Sequence, residues 1–238
     1  MSRVIYAFAH SDWDRALLDY LQAQGESPLL LAPTAEIVAH FPALATLPID
    51  ALAQADEPDA VLFQQLSAQS KDTDTGLVVL HAIGGVADSA AAADPTVSQA
   101  HIEAAFLTAK YCCGVLREFE GSLCYPLLSD AYAYVQEQGC LHGHDSITCY
   151  GIDALQKSLA KEWCGYPVRV NSLALPLCAS DDTERKALKR AMRNSVYGAK
   201  PAVMLREQVL AEIWRQASDP GWQNGQTLAL RPAMDIKL

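Results

Sequence analysis

Apolar runs of four to six residues alternate along the chain with longer amphipathic stretches, the pattern expected when helices cover both faces of a buried parallel sheet. Seven runs read as strands: Val4 to Phe8, Pro28 to Leu31, Thr46 to Ile49, Leu77 to His81, Ser122 to Leu128, Val168 to Ala174, and Gln226 to Leu230. Helices are expected between them at Asp14 to Gln24, Asp59 to Ser70, Ser98 to Leu116 and Ile147 to Trp163, with two more at Asp182 to Arg193 and Pro201 to Ala217. No linker, repeat or low-complexity tract divides residues 1–238, so one doubly wound α/β domain with a seven-stranded parallel sheet is the economical reading.

Composition narrows the class. With 50% hydrophobic and 19% charged residues, the 238-residue chain can fill a core and is not intrinsically disordered. Its apolar runs fall far short of the roughly 18 to 20 residues a bilayer crossing needs, so a soluble protein with no membrane partner is expected. Seven cysteines, an odd number set in apolar stretches, do not suggest a disulfide framework and fit a reducing cytoplasm. The net charge of −10 is concentrated at the front, where residues 1–100 carry 13 Asp and Glu against Arg3, Arg15 and Lys71. Nucleic acid is excluded as a partner on that ground.

The segment Gln156-Lys-Ser-Leu-Ala-Lys-Glu-Trp163 followed by Val168-Arg-Val-Asn-Ser-Leu-Ala174 resembles a helix and the sixth strand of the short-chain dehydrogenase/reductase superfamily. Ala217-Ser-Asp219 and Asn224-Gly-Gln-Thr-Leu228 are similar to its last helix and seventh strand, and the strand order and spacing agree over the whole chain. The resemblance implies a Rossmann-like domain. It also implies a glycine-rich turn for NAD(P) after the first strand, and a Tyr-x-x-x-Lys pair aided by a Ser and an Asn.

Those functional positions are altered here. The family's Thr-Gly-x-x-x-Gly-x-Gly falls on Ala7 to Asp14, which places Phe8, Asp12 and Asp14 at the three glycines. Glycine lets the backbone approach a pyrophosphate at the helix N-terminus, whereas two carboxylates repel it and the side chains of Phe8 and Trp13 fill its space. A helix cap supplied by Asp12 or Asp14 is the plainer role and is compatible with that exclusion. The Tyr and Lys positions carry Asp145 and Cys149; the Asn position carries His101; the Ser position carries Leu128, or Ser129 with a shift of one residue. A carboxylate at Asp145 would repel a developing alkoxide instead of protonating it. Tyr150 reads as a packing residue. The family's Asn-Asn-Ala-Gly turn becomes His81-Ala82-Ile83-Gly84, its Pro-Gly becomes Leu175-Pro176, and Asp50 either matches the residue that contacts adenine or is an ordinary surface Asp.

Cys140, His142, His144, Asp145 and Cys149 place several potential metal ligands close together, but without the paired spacings that specify zinc. A polar loop over a vacant cleft is the expected role, and no metal is assigned. Cys149 beside His142 and His144 also raises a thiol nucleophile, against the commoner role of a small buried hydrophobe. Arg185, Lys186, Lys189, Arg190 and Arg193 form a basic helix that either meets solvent or holds a coenzyme A phosphate or an acidic carrier. The resulting expectation is a pseudoenzyme with no bound cofactor. It would serve as a structural or regulatory subunit of an acyl-CoA or acyl-carrier dehydrogenase, joined to an active paralogue through the helices at 98–116 and 147–163. The heteromeric dehydrogenase acting on hydroxybenzylsuccinyl-CoA in anaerobic toluene breakdown is a family example of that pairing. The alternatives are an active NAD(P)-dependent oxidoreductase using Tyr150 or His101, and an acyl-CoA binding protein.

Overall fold

The computed structural model describes residues 3–69, 76–87, 95–129, 143–195 and 203–230. The chain runs β1 (Arg3–Ala7), α1 (Asp12–Ala23), β2 (Leu29–Leu31), α2 (Ala35–His40), β3 (Thr46–Leu47), α3 (Ile49–Ala53), α4 (Pro58–Gln69) and β4 (Leu77–His81). It continues with β5 (Val86–Ala87), α5 (Pro95–Glu118), β6 (Ser122–Leu128), β7 (Gly143–His144), α6 (Ser146–Glu162), β8 (Arg169–Leu175) and β9 (Cys178–Ala179). It ends with α7 (Asp182–Ser195), β10 (Met204–Leu205), α8 (Arg206–Ser218) and β11 (Thr227–Ala229).

Seven strands make one sheet in the order β3-β2-β1-β4-β6-β8-β11, every pairing parallel. The winding reverses between β1 and β4, which opens a crevice at their C-terminal ends. A sheet covered on both faces needs strands that are apolar at nearly every position, and Val4, Ile5, Tyr6 and Ala7 of β1 and Leu77 to Leu80 of β4 are all buried. Helices α4, α5 and α6 pack side by side in one layer, while α1 and α8 pack together in another. Gly151 lets α6 approach α5 closely, since a Cβ there would stand 2.4 Å from Ile102 Cδ1.

The seven expected strands are all present, β4 and β6 with the expected boundaries and the other five with an end moved by a residue or two. Pro28 stays outside β2 and Phe8 outside β1. Helix α1 starts two residues before the expected Asp14, because Ser11 caps it. The helix expected from Pro201 begins at Arg206 instead; Met204 and Leu205 extend to pair with Cys178 and Ala179. The two-residue strands β5, β7, β9 and β10 and the short helices α2 and α3 were not legible in the hydrophobic pattern, being too short to repeat its period. Among the described residues no helix is long and apolar enough to cross a membrane.

Candidate functional site

The candidate site is the crevice at the C-terminal ends of β1, β4, β6 and β8, and its first wall is the turn from β1 into α1. Phe8, at the first glycine position, has φ of +60°, so the turn keeps a left-handed conformation that glycine adopts freely. A bulky residue there costs on the order of 1 to 3 kcal/mol. Its ring stands edge-on to His81, with centroids 5.9 Å apart.

Ser11 caps α1 and Asp14 completes the capping box. The Asp14 carboxylate is fully buried and accepts five hydrogen bonds. Oδ1 takes the Tyr6 hydroxyl at 2.8 Å and the Ile83 amide at 2.9 Å. Oδ2 takes the His10 and Ser11 amides at 3.0 and 2.8 Å and the Ser11 hydroxyl at 2.6 Å. One side chain thus ties together β1, the turn and the loop after β4. Burial, then the Asp14 charge and hydrogen bond, hold the Tyr6 phenol well above its ordinary pKa, so it remains a donor.

This corrects the sequence expectation at two points. The N-cap residue is Ser11, with Asp14 completing the cap from the N3 position and Asp12 taking no part, and only one of the two carboxylates enters the turn. Asp12 is exposed on the first turn of α1, 3.4 Å from Arg15. The aromatic neighbour Trp13 is buried with the Arg206 guanidinium 4.9 Å above its ring.

Three histidines cluster next to this turn. His81, the last residue of β4, is buried, and desolvation pulls its pKa down to about 4 against the raising effect of the Ala7 carbonyl. His101 on α5, at the family's Asn position, faces the His10 ring with centroids 4.9 Å apart. His10 in turn lies 3.6 Å from Asp14 Oδ2.

The remaining family positions converge where α5, the end of β6 and the start of α6 meet. Asp145 is the N-cap of α6 and is itself buried. It accepts the Thr148 amide at 3.1 Å and the hydroxyls of Thr148 and Ser98 at 2.5 and 2.6 Å. Burial pushes its pKa up, but the hydrogen bonds from Ser98 and Thr148 outweigh this and the net shift is downward. Asp145 is therefore a helix cap whose carboxylate is held by Ser98 and Thr148. The Cys149 thiol points at the carbonyls of Leu128 and Gly84, 3.3 and 3.8 Å away. It sits against Gly85, where a Cβ would come within 2.3 Å of the sulfur. Leu128 itself is buried in the core. Ser129 follows it, its amide donating to Leu175.

Tyr150 is not a packing residue: it points outward from α6 and is 61% exposed. Asp50 is an exposed residue of α3. Cys140 and His142 and the side chain of His144 lie outside the described residues. Among the described residues no group of three His, Cys, Asp or Glu is placed to hold a metal ion. On α7, Arg185 pairs with Asp182 at 2.7 Å while Lys186, Lys189 and Arg190 are exposed; the Arg193 side chain lies outside the described residues. Asn171 and Asn224, both in the segments that carry the resemblance, are scaffold residues that bind the turn before β11 to β8.

Neither the Asp14 network nor the Ser98–Asp145 bond was foreseen from the sequence. The signal for the first was the Ser11-x-x-Asp14 spacing of a capping box; the second had no local signal.

No family model and no curated protein matches the chain. Solved structures do. A citronellol catabolism dehydrogenase of Pseudomonas aeruginosa is 17% identical with a TM-score of 0.60, over 95% of this chain and 92% of that one. A short chain dehydrogenase of Salmonella enterica is 18% identical with a TM-score of 0.59, over 98% and 97%. A protein of Thermus thermophilus is 20% identical with a TM-score of 0.60, over 97% of each chain. At these identities the likeness shows a shared fold, extending over nearly the full length.

Proposed function

We propose that this chain is a short-chain dehydrogenase/reductase homologue that neither binds NAD(P) nor transfers hydride. It serves instead as a structural or regulatory subunit of a hetero-oligomeric dehydrogenase of acyl-CoA or acyl-carrier type, comparable to the inactive partner in the hydroxybenzylsuccinyl-CoA enzyme. The observation that carries this reading is the Asp14 carboxylate, fully buried and already bonded to the turn's own His10 and Ser11 amides. A dinucleotide's diphosphate would need donors that this internal anion holds, at a helix end whose positive field it already occupies. The cofactor implied by the fold therefore does not fit these residues.

The reacting positions support the same reading. Tyr-x-x-x-Lys chemistry needs a phenol whose proton is delivered to an alkoxide. Asp145 and Cys149 hold those places, and both are engaged with neighbouring protein groups. Assembly is favoured by the outer face of the α5–α6 pair, which exposes Val97 and Phe106 on one helix and Ile147 and Tyr150 on the other. The basic residues of α7 suit an acyl-CoA or acidic carrier.

Two experiments test the proposal. Calorimetric titration with NADH and NADPH is expected to show no saturable binding. Micromolar affinity would instead establish the second reading, an active oxidoreductase built on His101, which the His10–His101 contact favours. Co-expression with a paralogue that retains the glycines and Tyr-x-x-x-Lys is expected to give a stable mixed oligomer by size exclusion, and separate elution would refute the subunit role.

A further inference from the structure

A groove of about 370 Å³ lies at the opposite end of the sheet from the crevice, where β4, β6 and β8 begin. Its lining includes Gly76, Glu120, Gly121, Arg169, Asp219 and Trp222. Trp222 is 100% exposed, which leaves roughly 200 Å² of mostly apolar side chain in water. This is no loose appendage. Gly221 turns with φ of +57°, the Gln223 amide donates to the Pro220 carbonyl at 3.1 Å, and the Asn171 side chain donates to the Gln223 carbonyl at 2.9 Å. The Val170 amide adds a bond to Asn224 at 2.9 Å, so the turn that presents the indole is pinned to β8.

Glu120 also lines the groove. It closes α5 with φ of +49°, a conformation in which glycine is unstrained and which costs another residue about 1 kcal/mol or more. The hydroxyls of Ser122 and Ser218 are committed to the carbonyls of Ala217 and Trp214. Among the described residues the groove thus offers a visitor one guanidinium, two carboxylates and an open indole face.

We propose that this groove binds a free α-amino acid with an aromatic side chain. Its carboxylate meets the planar fork of Arg169, its ammonium group lies toward Glu120 and Asp219, and its ring stacks on Trp222. A simple anion is repelled by the two carboxylates and a simple cation by Arg169; a zwitterion satisfies both signs. The volume falls within the range of small-molecule sites. This inference is independent of the subunit proposal, because it concerns the far end of the sheet and needs no partner chain.

Calorimetry on the full chain with L-phenylalanine, phenethylamine and N-acetylphenylalanine tests it. The expected result is saturable one-to-one binding of L-phenylalanine, with each analogue at least tenfold weaker because it lacks one charge. Trp222→Ala, at a fully exposed position that the fold does not use, is expected to weaken binding at least tenfold with an unchanged melting temperature. Arg169→Met should remove the preference for L-phenylalanine over phenethylamine. Absence of saturable binding, analogues that bind as tightly as L-phenylalanine, or affinity that survives either substitution unchanged would overturn the proposal.

Discussion

Replacing Asp14 by Ala is the sharpest test of how the β1–α1 turn is held. The substitution deletes the acceptor of five hydrogen bonds and leaves two donors, the Tyr6 hydroxyl and the Ile83 amide, fully buried without a partner. Each orphaned buried donor costs about 1 to 3 kcal/mol, and losing the capping box adds about 1 kcal/mol. The His10 amide sits nearer the surface and regains water at little cost, whereas the buried Ser11 amide does so only in part. Relief of the buried negative charge offsets part of the sum, so a net loss of about 4 kcal/mol is expected. For a domain of this size that corresponds to a drop of about 10 °C in Tm. Circular dichroism melts and urea titrations measure it.

A double-mutant cycle with Tyr6→Phe makes the reasoning specific. Tyr6→Phe alone leaves Asp14 with four donors and should cost about 1 kcal/mol. In the Asp14→Ala background the same change removes an orphaned hydroxyl, so it should be neutral or stabilising, giving a coupling of about 1 to 2 kcal/mol. Additive effects, or an Asp14→Ala loss below about 1 kcal/mol, would refute the account of this carboxylate as the turn's internal partner.

Other consequences follow from the same geometry. Because Phe8 has φ of +60°, Phe8→Gly should be more stable than Phe8→Ala by about 1 kcal/mol in thermal melts, the reverse of the usual order of these two residues. His81 has its folded-state pKa lowered from 6.5 to about 4 by burial, so the unfolded chain binds this proton more readily. Its neutral form therefore costs nothing above the unfolded value, and stability declines as pH falls from about 6.5 toward 4, by about 3 kcal/mol in all. His81→Gln should flatten that part of the profile, and an unchanged slope would show that His81 is not its source. The net downward shift at Asp145 works the other way: its capping contribution is present above the ordinary carboxylate pKa and is lost as pH falls through its lower folded value. Ser98→Ala should accordingly destabilise the protein by about 1 to 2 kcal/mol near neutral pH and by less in strong acid. Phe106→Asp and Tyr150→Asp, at exposed positions, should leave Tm within about 2 °C while abolishing the mixed oligomer on size exclusion.

The parts of the fold legible in the sequence were those governed by local repetition. Continuous apolar runs such as Leu77 to Leu80 can be stable only when buried on both faces, and the spacing between runs leaves room for helical crossovers, so the parallel sheet follows from the pattern alone. That Phe8, Asp12 and Asp14, not glycines, follow the first strand is likewise read directly from the sequence. What the pattern does not carry is direction. Asp12 and Asp14 are two residues apart on the same helix, yet one meets water and Arg15 while the other is sealed beneath the turn. That difference comes from the Tyr6 hydroxyl and the Ile83 amide, the latter 69 positions away in the chain.

Tyr150 and Cys149 are adjacent and equally apolar by composition, but the α6 surface turns one outward and the other against Gly85. Ser98 reaches Asp145 across 47 residues because α5 and α6 cross closely, a proximity that arises from packing of both helices on the sheet. The sequence by itself determined the sheet and its helical layers, since each rests on residue type at a fixed local spacing. Only tertiary structure decided which replacements became internal partners and which became surface, because hydrogen bonds and burial between distant segments exist only once the chain has closed around them.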